Sequence, residues 1–177
     1  VRPIGRLRRD GARPYALDPE AAREVTGESP FLMAAYEAWR RTGAATGAPD
    51  RTEVQRDLLL ASRAPHRDHS GKEVSLHALA TARRFSRNLA LVEGRLAPDL
   101  FQLLTAARGS VDDDYAYETW DLATAYAHTE SPPSLPLIRP TVEELYGHSR
   151  SFHFHRIARQ RRNRLRSMIR RRPHEKY

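Results

Sequence analysis

The chain has 177 residues, 40% of them apolar and 29% charged, which is the size and composition of one globular domain able to bury a core. It contains no cysteine, which excludes disulfides, sulfur-ligated zinc and iron–sulfur clusters. The net charge of +8 is unevenly spread: residues 1–14 hold five arginines and one aspartate, residues 145–177 hold ten arginines and Lys176 against Glu175 alone, and the stretch between is net acidic.

Residues 1–17 carry Pro3, Gly5, Gly11 and Pro14 among arginines and show no sustained apolar period, so a flexible basic N-terminal arm is expected. A helical domain is predicted over 18–130. Asp18 is suited to cap a first helix that Pro19 opens and Gly27 ends, and Ser29, Pro30 and Gly43 repeat that grammar around Phe31, Leu32, Ala35, Tyr36 and Trp39. Thr52-Glu53-Val54-Gln55 has the form of a capping box and leads into Leu58, Leu59 and Leu60, predicting a third helix that ends near Arg63. Ala64–Lys72, with Pro65, Ser70 and Gly71, is expected to be a solvated loop that carries His66 and His69 and in which Asp68 caps a turn.

Val74, Ala78, Ala82, Phe85, Leu89 and Val92 recur at steps of three and four, which predicts a long central helix ending at Gly94. A compact apolar helix follows from Leu100 through Ala107, between Pro98-Asp99 and Gly109. Ser110-Val111-Asp112-Asp113 restarts the chain, and Tyr115, Thr119, Leu122 and Tyr126, with Trp120 alongside, form an aromatic stripe. Residues 131–140 contain four prolines and are expected to form an extended connector and a domain boundary. Thr141-Val142-Glu143-Glu144 caps a last region, 141–177, bent at Gly147 and helical again from Ser151 to Arg171, with Phe154, Ile157, Ala158, Leu165, Met168 and Ile169 as its apolar face. The expected fold is all-α and bundle-like, with roughly six helices before the connector and an arginine-rich C-terminal helix after it. No internal repeat and no β-pattern is visible.

The functional signal lies at the ends. Arg150, Arg156, Arg159, Arg161, Arg162, Arg164, Arg166, Arg170, Arg171 and Arg172 occupy a stretch with no carboxylate between Glu144 and Glu175. Like charges at helical spacing repel by a few tenths of a kcal/mol per pair, and something must offset the sum. Phosphate does so by accepting guanidinium bidentately and releasing counterions. An acidic protein face is the other candidate, and the chain has acids in Asp112, Asp113, Asp114, Glu118 and Asp121.

The preferred expectation is a non-catalytic nucleic-acid-binding or accessory protein in which this run contacts the phosphate backbone, aided by Arg6, Arg8 and Arg9 of the arm. The rival is a helical interaction subunit, self-associating or part of a larger complex, with Tyr115, Trp120 and Tyr126 as its protein interface. A third reading is a metal-dependent hydrolase using His66 and His69 or the group His148, His153 and His155, where imidazoles that stack or pack beside Phe152 and Phe154 are the simpler account. No glycine-rich phosphate loop, GxGxxG, HExxH or GxSxG is present, so no cofactor, metal or catalytic residue is expected. No apolar run reaches the ~18 residues that span a bilayer, and a cytoplasmic protein without membrane contact is the expectation.

Overall fold

The structure is a computed structural model and describes residues 11, 13–25, 28–42, 47–125, 135–147 and 152–157. The fold is all-α, with one two-stranded pairing as its only sheet among the described residues. The chain forms two compact units. The smaller is built from residues up to Val25 together with 135–147, and the larger from residues 28–125 together with 152–157.

In the smaller unit, β1 (Ala16–Leu17) pairs in parallel with β2 (Leu137–Ile138), Ala16 opposite Leu137. The amide of Ala16 donates to the Pro136 carbonyl at 3.0 Å and that of Asp18 to the Ile138 carbonyl at 2.9 Å. Asp18 then starts α1 (Pro19–Val25), accepting from the amides of Glu20 and Ala21, and its second oxygen accepts from Arg139 Nε at 2.8 Å. Burial disfavours this carboxylate, and these donors outweigh it, holding Asp18 below the ordinary carboxylate range. Helix α8 (Val142–Tyr146) has a complete capping box between Thr141 and Glu144, ends at Gly147 with φ 72°, and packs against α1.

Two expectations change here. Residues 16–17 belong to a strand and not to a flexible arm, and the proline-rich connector supplies its partner. The pairing and α1 fall in one unit with residues 135–147.

In the larger unit, α2 (Pro30–Arg41) begins after Ser29, whose hydroxyl does not cap it; the hydroxyl donates instead to the buried carbonyl of Ala123 at 2.7 Å. Helix α3 (Arg51–Ala61) is capped by Asp50, which accepts from both the amide and the hydroxyl of Thr52, so the predicted capping residue lies two positions late. The predicted loop after it is a helix, α4 (Arg63–Ser70). Pro65 falls in the first turn, where the missing N–H would have had no intrahelical acceptor, and Gly71 closes the helix in the left-handed region at φ 73°.

Helix α5 (Leu76–Val92) is capped by Ser75, α6 (Leu100–Ser110) by a complete capping box of Asp99 and Gln102, and α7 (Asp113–Thr124) by Asp112. The buried face of α5 is Leu79, Ala82, Ser86 and Ala90, rotated from the predicted stripe so that Phe85 and Val92 are exposed. Small residues explain the rotation. Helix α6 offers Ala106, Ala107 and Gly109, and a Cβ added at Gly109 would stand 3.2 Å from the Phe85 ring. Leu58, Leu59, Val74, Leu79, Leu103 and Tyr115 form the centre of the core.

Candidate functional site

Helix α7 carries the densest polar chemistry of the larger unit. Asp112, at its start, accepts from the Tyr115 amide at 2.8 Å and lies 3.2 Å from His66 Nε2 and 3.3 Å from Lys72 Nζ. The His66 hydrogen bond, against the opposing cost of burial, holds the Asp112 carboxyl far below the ordinary carboxylate range, and the Tyr115 amide and Lys72 add to it. His66 is fully buried and sits edge-on to the Tyr115 ring, 5.6 Å between centroids. Tyr115 in turn donates its hydroxyl to the carbonyl of Leu59, and burial pushes its ionisation above the ordinary tyrosine value.

Ser70 Oγ lies 3.3 Å from His66 Nε2, which brings a serine, a histidine and an aspartate together. The geometry is not that of a nucleophilic relay. Such a relay aims the hydroxyl at one ring nitrogen and the carboxylate at the other, whereas Ser70 Oγ stands nearly equidistant from the two, 3.3 Å from Nε2, which Asp112 also approaches, and 3.5 Å from Nδ1, and it also accepts from the Lys72 amide at 3.1 Å. The cluster ties α4 to α7.

One turn and a half along α7, Glu118 is 3% exposed. Its Oε1 accepts from His69 Nδ1 at 2.8 Å and from Arg156 Nη2 at 3.1 Å. The Arg156 guanidinium also lies over the Tyr117 ring, 3.6 Å from its centroid, a cation–π contact at close range. Its Nε is buried without a hydrogen-bond partner, so the anchor is weaker than a bidentate pair.

Arg156 reaches α7 because Phe152–Arg156 is not helical, contrary to the helix predicted from Ser151. Burial alternates along it: Phe152, Phe154 and Arg156 turn inward while His153 and His155 are exposed. Phe152 meets Phe101 at 5.8 Å and lies under the Arg108 guanidinium, and Phe154 meets Tyr117 and Trp120 at 5.5 and 5.9 Å. Burying two phenyl rings on α6 and α7 outweighs continuing a helix whose arginines repel one another.

The predicted site residues are therefore sorted. Arg156 is taken up inside the fold and is not an outward phosphate contact. Arg150, Arg159, Arg161, Arg162, Arg164, Arg166, Arg170, Arg171, Arg172, Arg6, Arg8 and Arg9 lie outside the described residues, as do Tyr126 and His148. Tyr115 is completely buried and corrects the expectation of an interface residue, and Trp120 is half-buried against Tyr117 and Phe154. The acidic face is largely spent internally: Asp112 on His66 and Lys72, Asp113 on Arg108 at 3.2 Å, and Glu118 on His69 and Arg156. Among the described residues no three of His, Asp or Glu gather as metal ligands, and no described helix is long and apolar enough to cross a membrane.

The tie between His69 and Glu118 is absent from the sequence reading because it joins two helices, one of them unpredicted. The spacing of His66 and His69, three apart, would set both on one face of a helix, but it names no partner for either. No family model, curated protein or solved structure matches the chain.

Proposed function

We propose that this chain is a non-catalytic nucleic-acid-binding or accessory protein of the cytoplasm that grips the phosphate backbone through its C-terminal arginines. The observation that carries the reading is the charge of the run itself: from Arg159 to Arg172 there are eight arginines and no carboxylate. Arg156 supports it to this extent, that the buried acid Glu118 is already occupied by Arg156 and His69. Sequence-independent binding is expected, since phosphate contacts position a protein and base contacts specify.

The test is fluorescence anisotropy with unrelated single- and double-stranded oligonucleotides at 50 and 200 mM salt. Affinity should fall by about a hundredfold or more over that range, and replacing Arg161, Arg162, Arg164 and Arg166 together by Gln should abolish binding while the circular dichroism of the body stays unchanged. Binding that is absent or insensitive to salt defeats the proposal.

A second reading, a helical subunit of a larger protein assembly, is favoured by α2. Met33 and Tyr36 are exposed there, and the Tyr36 ring stands against Trp39 at 5.2 Å. Light scattering with and without nuclease separates the two: a defined oligomer that survives nuclease supports the subunit, and mass lost to nuclease supports the nucleic-acid reading.

A further inference from the structure

Residues of α3 and α5 and the segment before α6 line one depression, beside which Gln55 Nε2 donates to the buried Pro98 carbonyl at 2.7 Å. The result is a cleft of about 410 Å³, within the ~300–1,000 Å³ range of small-molecule sites. Its walls differ in kind. Leu96, Pro98 and Leu103 give an apolar side, and Thr52 with Gln55 supplies a hydroxyl and an amide. The α5 side is cationic: Arg83, Arg84 and Arg87 all line it, and no carboxylate does.

These three guanidiniums are not equivalent. Arg83 donates to Glu53 at 3.0 Å, and Glu53 also pairs with Arg56, so the Arg83 charge is shared. Arg84 and Arg87 have no ion pair and no hydrogen bond among the described residues, although most of the other described arginines have one. One helical turn apart, they repel each other. A cationic pair that shares a cleft with apolar residues, with the local acid Glu53 already taken by Arg83 and Arg56, is a site lacking its counter-charge.

We propose that this cleft binds a phosphomonoester with a compact apolar or aromatic body. Two uncompensated guanidiniums match the double charge of a phosphate monoester better than the single charge of a carboxylate, and their planar forks donate to its oxygens in pairs. The body lies against Leu96, Pro98 and Leu103, and a polar edge meets Thr52 or Gln55. This site is separate from the C-terminal arginine run and does not depend on the nucleic-acid reading.

The test is isothermal titration calorimetry on the full chain at low salt with phenyl phosphate and adenosine monophosphate, with adenosine and inorganic phosphate as partial probes. Both esters are expected to bind at one site per chain. Adenosine should bind at least about tenfold more weakly than its monophosphate, and the double variant R84Q/R87Q should weaken both esters by a similar factor. Both arginines are exposed, so helical content should not change. Leu96→Ser, at a side chain 93% exposed, should weaken the esters more than inorganic phosphate. The variant with Arg161, Arg162, Arg164 and Arg166 replaced by Gln should bind the esters as the original chain does. Unchanged ester affinity in R84Q/R87Q, loss of ester binding in the C-terminal variant instead, or no saturable heat with either ester would each overturn the proposal.

Discussion

Glu118 accepts from Arg156, 38 positions further along the chain, at 3.1 Å. A carboxylate this buried costs several kcal/mol if left alone, so its two partners, the Arg156 guanidinium and the His69 ring, are what make the position tenable.

The pair should show energetic coupling. A double-mutant cycle with Glu118→Gln and Arg156→Gln, followed by urea denaturation, is expected to give a coupling energy of about 1 kcal/mol or more. Additive single effects would mean that Arg156 is held by its ring contact with Tyr117 and not by the acid.

Phe154 holds the same segment by packing. Phe154→Ala should cost about 1–3 kcal/mol, less than the loss of a fully buried phenylalanine because the ring is only half-buried. Hydrogen exchange should accelerate at amides 152–157 and not in α3 or α5. Protection unchanged at those amides would show that the segment is fixed elsewhere.

Asp112 links stability to acid. Its folded carboxyl titrates well below the unfolded value of about 4, so in acid the unfolded chain takes up the proton more readily. The contribution is therefore complete above about pH 4 and drains away as pH falls below it. Asp112→Asn keeps a helix-capping side chain and removes the charge. At pH 6 the original chain should exceed the variant by about 1 kcal/mol, a figure reduced for partial solvent exposure, and the gap should shrink by more than half near pH 2. Urea midpoints across that range read it, and a gap constant with pH would reject the assignment.

Gly109 stands inside α6 where alanine would be intrinsically better by about 1 kcal/mol. The added methyl meets only the edge of the Phe85 ring, at 3.2 Å, and that ring is 40% exposed and has room to give. Gly109→Ala should raise stability by up to about 1 kcal/mol, read as a higher thermal midpoint, whereas Gly109→Val should lower it. A destabilised alanine variant would show that Phe85 is fixed.

Helix identity was legible wherever a cap preceded an apolar period, as at Asp18, Asp99 and Thr141; α7 was legible too, but Asp112 caps it, while Ser110, which opens the expected capping pattern, ends α6. Legibility failed at α4, where Pro65, Ser70 and Gly71 suggested a loop; a proline in the first turn breaks nothing, Gly71 closes the helix, and His66 is buried where Asp112 and Tyr115 meet it from another helix. The buried face of α5 was displaced because close helix packing selects alanine, serine and glycine, while an apolar stripe is read from large side chains. At Phe152–Arg156 the alternation of ring, histidine, ring, histidine and arginine was present in the sequence, but the surrounding arginines favoured reading it as helix. The ties of Arg156 and His69 to Glu118 depend on tertiary proximity that no local pattern encodes.

The hydrogen bond from Ser29 to the carbonyl of Ala123 bears on the order of assembly. The parallel strands and the tie of Arg139 to Asp18 join positions 121 residues apart, and closing so long a loop in an unstructured chain is slow and entropically unfavourable. Ser29 and Ala123 lie near the two ends of that loop, so once the helices between them condense, the segment still to be closed is reduced to its short flanks. The smaller unit is thereby placed late in folding, as a clasp that forms only after the helices it encloses in sequence have already found one another.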